Sequence, residues 1–291
     1  MNLFKGAGVA LVTPFNADMS IDFPALRRLV QEQIAGGTNY LVVQGTTGES
    51  PTLNSEEKKQ VLETVLEVNN GALPVVYGAG GNNTLSVIEA FKNIPKGVDG
   101  ILSVAPYYNK PTQAGYIAHY KALADATNLP IILYNVPGRT GSNVLAETTL
   151  ELAEIKNIVA MKEASGNMEQ IMEIIRSKPE GFLVLSGDDA ITLPLIAAGA
   201  DGVISVVANS FPAQFSQMVT SALNGDFETA RRLHYDLLPV TKLLFAEGNP
   251  GGVKIALEEL GWMKPFMRLP LVQVSEGLKA KIVAETKKLT K

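Results

Sequence analysis

The stretch Pro130-Ile131-Ile132-Leu133-Tyr134-Asn135-Val136-Pro137 sets three consecutive aliphatic residues between two prolines. Such a run has no polar face, which is typical of a strand that is covered on both sides in a parallel sheet. The pair Val75-Val76 has the same character. Apolar runs of this kind recur over the first two-thirds of the chain, and longer amphipathic stretches follow them. The pattern therefore predicts strands that alternate with helices.

Eight such strand–helix units predict an α/β fold, a (β/α)8 TIM barrel. A doubly wound open sheet is the competing fold, but it favours a glycine-rich nucleotide turn after the first strand, where this chain has Thr13-Pro14-Phe15. The predicted strands are Gly8–Phe15, Tyr40–Gly45, Pro74–Gly80, Gly100–Pro106, Pro130–Pro137, Ile158–Ala164, Phe182–Asp188 and Gly202–Asn209. The predicted helices between them include Asp22–Ala35, Ser55–Val68 with Ser55 as its N-cap, Gln113–Ala126, Met168–Ser177 and Ala213–Leu223.

The alternation stops near residue 226. Three helical patterns follow with no strand between them: Phe227–Ala246, Pro250–Leu260 and Val274–Leu289. We therefore expect residues 1–226 to form the barrel and residues 227–291 to form a C-terminal helical subdomain, as an extension of the barrel.

Composition excludes several classes of function. The 291 residues are 46% hydrophobic and carry a net charge of −4, so no strong positive field is available for nucleic acid. The absence of cysteine excludes thiolate nucleophiles, iron–sulfur clusters and cysteine-based zinc sites. The two histidines, His119 and His234, lie far apart and are expected to be structural, which argues against a zinc site or a Ser-His-Asp triad. We expect no metal and no cofactor.

Membrane insertion is not expected either. No apolar run reaches the roughly 18–20 residues that span a bilayer. Residues 1–15 lack a small-residue cleavage site and are interrupted by Pro14, so a signal peptide is not predicted. The expected location is the cytoplasm.

Lys162 is the most informative candidate for chemistry. It follows Ile158-Val159-Ala160-Met161 in a predicted buried strand, and it shares strand parity with Ile158 and Ala160. Active sites of this fold lie at the carboxyl ends of the strands. Burial favours a neutral amine, and a neutral lysine amine attacks carbonyl groups to form a Schiff base. The alternatives are a structural ion pair with a neighbouring carboxylate and a strand-end lysine that reaches solvent.

Other polar residues are predicted at the same end of the barrel. Tyr134 could transfer protons, or be a core tyrosine with a satisfied hydroxyl. Thr46 and Thr47 could bind a carboxylate, or form a plain turn. Arg139 suits a second carboxylate, although most loop arginines are merely solvated. Asp188 and Asp189 could be acids or metal ligands, but Asp189 is expected to cap a helix that begins near Ala190. Glu49 and Glu163 are expected to be structural.

Six motifs resemble the pyruvate-dependent class I aldolases and, within them, the dihydrodipicolinate synthase family. The resemblance extends over nearly the whole chain. The motifs are Ala10-Leu11-Val12-Thr13-Pro14-Phe15, Gly45-Thr46-Thr47-Gly48-Glu49-Ser50, Pro106-Tyr107-Tyr108-Asn109-Lys110-Pro111, Tyr134-Asn135-Val136-Pro137-Gly138-Arg139-Thr140-Gly141, Lys162-Glu163-Ala164 and Ser186-Gly187-Asp188-Asp189.

The resemblance implies a barrel enzyme that condenses pyruvate with L-aspartate 4-semialdehyde through a Schiff base on Lys162. It implies a proton relay of Thr46, Tyr134 and Tyr108, with Tyr108 supplied by a neighbouring subunit of a homotetramer built as a dimer of dimers. It also implies that Thr46 and Thr47 bind the pyruvate carboxylate and that Arg139 guides the semialdehyde. The main-chain carbonyl of Ile204 is placed near the lysine.

Related aldolases share the scaffold, namely N-acetylneuraminate lyase and the 2-keto-3-deoxy-sugar-acid aldolases. These generally lack an arginine after the Tyr-Asn-x-Pro turn, so Arg139 favours the short substrate that has its own carboxylate. A barrel that binds a keto acid without turning it over is a further alternative. Binding alone does not need the lysine amine.

The sequence departs from the family at the site where many members bind inhibitory lysine. A histidine and a glutamate are used there, and the matching residues in this chain are Lys58 and Ser86, while Tyr107 and Asn82 are retained. We therefore expect lysine to inhibit the activity weakly or not at all. Titration of lysine against turnover tests this, and half-inhibition at sub-millimolar lysine would contradict it.

Overall fold

Eight parallel strands close into a barrel in which each strand pairs with the next one and the last pairs with the first, so the predicted (β/α)8 fold is confirmed. The computed structural model describes residues 3–290; residues 1, 2 and 291, which belong to the ends of the two predicted domains, lie outside the described residues. The strands are β1 (Gly6–Ala10), β2 (Tyr40–Val43), β3 (Val75–Gly78), β4 (Gly100–Val104), β5 (Ile131–Asn135), β6 (Ile158–Glu163), β7 (Leu183–Ser186) and β8 (Gly202–Ser205).

Twelve α-helices are found between residues 3 and 290. The strand runs and helices predicted from the sequence coincide with observed elements, with bounds that shift by up to five residues at a strand end. The helices are α1 (Phe23–Ala35), α2 (Ser55–Asn69), α3 (Thr84–Phe91), α4 (Gln113–Asp125), α5 (Pro137–Thr140), α6 (Ala146–Ala153), α7 (Met168–Ser177), α8 (Thr192–Ala197), α9 (Pro212–Leu223), α10 (Phe227–Phe245), α11 (Gly251–Glu259) and α12 (Glu276–Leu289).

The start of α2 corrects one sequence prediction. Ser55, expected as the N-cap, is the first residue of the helix. The cap is Asn54, whose side chain accepts from the Glu57 N–H, while the Glu57 carboxylate accepts from the Asn54 N–H. This reciprocal capping box satisfies two free donors, which a serine cap alone would not do.

The barrel interior is filled at its amino-terminal end and open at its carboxyl end. The ring of Tyr40 is fully buried across β1, and its hydroxyl donates to the carbonyl of Val203 at 3.0 Å. Gly8 leaves the space for this ring, since a Cβ there would lie 2.2 Å from it. With this end closed, polar side chains at the strand ends can line a cavity only at the opposite end.

The three C-terminal helices pack on the barrel. One apolar cluster contains Val9 of β1 together with Leu237 of α10 and Val253 of α11. Gly252 permits the close approach of α10 and α11, because a Cβ there would lie 2.4 Å from the Leu244 carbonyl oxygen. The division of the chain at residue 226 into two domains stays a prediction. Among residues 3–290, no helix has the length and apolar character needed to cross a bilayer.

Candidate active site

A cavity of about 340 Å³ lies at the carboxyl ends of the strands. Residues from seven of the eight strands or the turns that follow them line it, together with residues from α10 and from the loop before α11. It therefore brings together most of the side chains predicted from separate motifs. The polar side chains that line it are Thr46, Thr47, Tyr134, Arg139, Lys162, Asp188, Thr241, Lys242 and Asn249.

Lys162 projects into this cavity from β6, and its side chain is 6% exposed. The register of the barrel pairs it with Tyr134 on β5, and its Nζ lies 4.1 Å from the centre of the tyrosine ring. The other buried lysine, Lys254, and the half-buried Lys178 each form an ion pair at 2.5 Å. Lys162 forms no ion pair within residues 3–290, so the structural alternative finds no support there.

The residues that follow β2 form a tight turn at the edge of the cavity. Thr46–Gly48 is a single 3₁₀ turn, and Glu49 ends it in the left-handed region with φ +53°. Thr13 donates its hydroxyl to the Gly48 carbonyl at 2.7 Å, and the Asn249 amide donates to the Thr47 hydroxyl oxygen at 3.0 Å. The Thr47 hydroxyl accepts that bond and donates none within residues 3–290, so its hydrogen can donate into the cavity.

Arg139 lies on the short helix α5, directly after β5. Its side chain is exposed and forms no ion pair within the part of the chain that the structure describes. It lines both this cavity and a neighbouring one. A free guanidinium at the cavity edge can bind a carboxylate in a bidentate manner.

Glu163 points away from the cavity, on the opposite face of β6 from Lys162. Its carboxylate accepts hydrogen bonds from Asn135, Ser165 and Gln170. Burial raises the pKa of Glu163, although these hydrogen bonds act in the opposite direction. The network joins β5 to β6 next to the lysine.

The two aspartates after β7 correct a second prediction. Asp188, not Asp189, is the capping residue, and it accepts from the N–H of Ala190 at 3.0 Å. Asp189 is 3% exposed and accepts from the N–H groups of Val206 and Val207. It therefore ties the end of β7 to the segment after β8, a contact that local sequence cannot reveal.

Two residues named by the family resemblance do not line this cavity. Tyr108 is 87% exposed, with φ +70° and its N–H on the Thr140 carbonyl at 3.3 Å. Ile204 is buried in the barrel interior, in the same apolar cluster as Tyr134. The cavity of a single chain therefore contains Lys162, Tyr134, the two threonines and Arg139, but not Tyr108.

A second cavity, of about 440 Å³, shares Thr46, Tyr134 and Arg139 with the first. Lys58 and Tyr107 line it, and burial lowers the pKa of Lys58. A cationic effector entering this cavity would meet the like charge of Lys58, which agrees with the expected weak effect of lysine. Ser86 does not line it. Its N–H donates to the side chain of Asn83, which is the N-cap of α3.

Sequence reasoning missed three buried polar residues around the threonine turn. Gln44 lies in the wall of the second cavity, 4% exposed with φ +66°, and neither end of its amide has a partner within residues 3–290. Asn249 and Lys254 come from the last quarter of the chain. The parity of Gln44 with Tyr40 and Val42 was a usable signal for an inward side chain, whereas no local signal marks the other two.

No group of three or more His, Asp or Glu side chains suited to a metal ion occurs in residues 3–290. The chemistry available in the cavity is that of an amine, a phenol, hydroxyls and a guanidinium. This set suits covalent catalysis on a carbonyl compound that carries carboxylates.

Known proteins resemble this chain in sequence and in fold. The model of the dihydrodipicolinate synthetase family matches residues 3–289. The chain belongs to the dihydrodipicolinate synthetase family. The resemblance inferred from the motifs is thereby confirmed, and the chain is an enzyme of this family. A 4-hydroxy-tetrahydrodipicolinate synthase of Flavobacterium psychrophilum is 50% identical over 293 residues, covering 100% of both chains.

Solved structures of the family have the same fold. A monomeric dihydrodipicolinate synthase variant superposes with a TM-score of 0.96 at 42% identity, over 98% of this chain and 97% of that one. The chloride-inhibited dihydrodipicolinate synthase of Acinetobacter baumannii, complexed with pyruvate, superposes with a TM-score of 0.95 at 41% identity, over 98% and 99% of the two chains. The barrel and its C-terminal helices are therefore those of the family.

Asp189 gives the site a testable pH dependence. Burial raises the pKa of Asp189 from 3.8 to about 6. Between these two pH values the folded chain therefore holds a proton that the unfolded chain has lost. The stability gained from that proton is present at low pH and is lost as the pH rises through 6. Asp189→Asn avoids this loss, and its free energy of unfolding should rise relative to wild type by about 1 kcal/mol between pH 5 and pH 7. Urea unfolding at each pH measures it.

The matched control for this measurement is Asp236→Asn, on the exposed face of α10. Parallel stability profiles for Asp189→Asn and the wild-type chain would contradict the assignment.

Proposed function

We propose that the chain condenses pyruvate with L-aspartate 4-semialdehyde through a Schiff base on Lys162. This is the 4-hydroxy-tetrahydrodipicolinate synthase reaction of lysine biosynthesis, the activity of its 50% identical full-length relative. The observation that supports the covalent route best is the amine of Lys162, buried, facing the cavity and without a carboxylate partner in residues 3–290.

The first half of the reaction makes the lysine-bound enamine. The Lys162 amine adds to the ketone carbon of pyruvate, and loss of water from the carbinolamine leaves an iminium. The iminium withdraws electrons from the adjacent methyl group, which loses a proton to give the enamine. Water is the only molecule released in this half.

The second half joins the two substrates. The enamine carbon attacks the aldehyde carbon of the semialdehyde, whose oxygen takes up a proton and becomes the 4-hydroxyl. The amino group of the adduct then attacks the iminium carbon, which closes the ring and displaces the Lys162 amine. The lysine is regenerated, and no redox partner or cofactor is consumed.

The threonine turn is suited to the pyruvate carboxylate. The Thr47 hydroxyl accepts from Asn249 and donates to no residue among 3–290, so its hydrogen can bind a carboxylate. Thr46 lines the same cavity as Lys162. Tyr134 packs its ring against the lysine amine, so its hydroxyl is in the same cavity as the carbinolamine. We assign Tyr134 and Thr46 to the transfer of protons, and both threonines to the carboxylate.

Arg139 is assigned to the carboxylate of the second substrate. Pyruvate occupies the region near Lys162 and the threonines, so the semialdehyde enters from the side where the two cavities meet. Arg139 lines both cavities and carries no ion pair within the described residues. The main-chain carbonyl of Ile204, on β8, completes the proposed surroundings of the lysine.

We also propose that the chain assembles as a homotetramer of two dimers, in which Tyr108 completes the proton relay of a neighbouring subunit. Three large side chains are exposed close together: Leu85 in the first turn of α3, and Tyr107 and Tyr108 in the loop after β4. A hydrogen bond from Asn82, just before α3, to the Tyr107 carbonyl joins the two segments. Such a cluster favours burial against another protein surface. Sedimentation equilibrium of the purified chain tests the proposal, and a monomeric, fully active enzyme would contradict it.

The covalent route predicts a trapped adduct. Incubation with pyruvate and borohydride, followed by peptide mass mapping, should place a stable adduct on Lys162, and Lys162→Met should lower turnover by at least about 1000-fold. Lys242 is the matched control, because it lines the same cavity from an exposed position on α10. Lys242→Met should retain the adduct. An adduct on Lys242, or none at all, would remove the basis of the mechanism.

The role of Arg139 predicts a selective loss. Arg139→Ala should lower kcat/KM for the semialdehyde by about 10–100-fold, the loss of a charge-assisted hydrogen bond. The rate of pyruvate adduct formation should change less than about twofold. Arg139→Lys keeps the charge without the fork and should fall between the two. Equal losses for both substrates, or turnover of N-acetylneuraminate in preference to the semialdehyde, would contradict the assignment.

A further inference from the structure

The most completely buried charges of the described chain lie beside the active-site cavity but outside the mechanism. The side chains of Glu49 and Lys254 are both 0% exposed, and their charged atoms, Oε1 and Nζ, lie 2.5 Å apart. A buried ion pair rarely gains much stability over apolar packing, because both charges lose their hydration. A contribution to stability alone therefore does not explain why this pair is buried beside the cavity.

Three oxygen atoms surround the ammonium group of Lys254. Besides the Glu49 carboxylate, its Nζ donates to the carbonyls of Thr13 at 2.9 Å and Phe266 at 2.8 Å. It also lies 4.5 Å from the centre of the Phe15 ring. The Lys254 side chain therefore contacts both the segment that follows β1 and the segment that follows α11.

Glu49 is the residue that ends the threonine turn. Its N–H donates to the Thr46 carbonyl at 3.1 Å, and its own φ of +53° is a conformation that non-glycine residues seldom adopt. Its second carboxylate oxygen accepts from the Arg268 N–H at 3.2 Å. Contacts with Lys254 and Arg268, both from the C-terminal part of the chain, therefore hold Glu49 in this conformation.

Helix α11 connects these contacts to the cavity. It carries Lys254 in its second turn, and Asn249, two residues before its start, donates to the Thr47 hydroxyl. The start of α11 and the loop before it therefore contact the turn at both Glu49 and Thr47. The barrel itself contributes the Thr13 hydroxyl on the Gly48 carbonyl.

We propose that Glu49 and Lys254 are positioning residues, through which helix α11 holds the Thr46–Gly48 turn in the geometry that binds the pyruvate carboxylate. The pair acts on the affinity for pyruvate and not on the chemistry of the lysine. This inference rests on the proposed function, since it assigns the turn to that carboxylate.

The test compares two ion-paired carboxylates at opposite ends of the barrel, the buried Glu49 and the half-buried Asp201. Glu49→Gln keeps the shape of the side chain and removes its charge. The matched control is Asp201→Asn, because Asp201 forms a 2.5 Å pair with Lys178 at the amino-terminal end, away from the cavity. Each purified variant is assayed for the KM of both substrates and for the pyruvate concentration that gives half-maximal borohydride trapping, with circular dichroism as the measure of folding.

Glu49→Gln should raise the pyruvate KM and the half-trapping concentration by about tenfold. This is the effect expected when one hydrogen bond from the threonine turn to the pyruvate carboxylate is misaligned. The semialdehyde KM should change less than about twofold. Asp201→Asn should leave all three values unchanged while lowering Tm. Wild-type pyruvate affinity in Glu49→Gln, or equal changes in the two variants, would overturn the proposal.

A second variant keeps the test decisive if Glu49→Gln does not fold. The double substitution Glu49→Gln with Lys254→Met removes both buried charges and retains much of the volume. Raised pyruvate KM with native circular dichroism supports the positioning role, and unchanged pyruvate KM overturns it. Absence of a Lys162 adduct in the wild-type chain would instead defeat the proposed function itself, so the two failures are distinguishable.

Discussion

The contact between the amine of Lys162 and the ring of Tyr134 is the interaction around which the rest of the site is arranged. It exists because closure of a parallel barrel places β5 beside β6 in a register that aligns the two residues on the inner face. The ring packs against the amine and offers it no carboxylate with which to form an ion pair. An amine held in this way stays close to the cavity and remains available to a carbonyl carbon.

Two buried lysines in this chain show how surroundings decide what one residue type does. Lys254 has a carboxylate and two carbonyls for its three N–H groups. Burial lowers its pKa to about 8, and the attraction of Glu49 opposes that shift. Lys162 has no such partners within residues 3–290. The first lysine is committed to holding the chain together, while the second is left free for a substrate.

Local patterns were sufficient for the architecture and for the residues that one strand end presents. The aliphatic runs predicted all eight strands, and a lysine among apolar residues pointed to Lys162. Contacts between distant segments were beyond such patterns. Asp188 is the capping residue, because the Asp189 carboxylate accepts hydrogen bonds from the backbone after β8. The partner of Glu49 is Lys254, on helix α11. Packing in three dimensions decides these, and no spacing in the sequence encodes it.

The position of helix α11 has a consequence for the order in which the molecule becomes competent during synthesis. All eight strands precede residue 206, whereas Asn249 and Lys254 leave the ribosome later. A nascent chain can therefore close its barrel while the threonine turn still lacks two of its anchors. The last quarter of the chain, through Asn249 and Lys254, therefore supplies two anchors to a turn that follows the second strand.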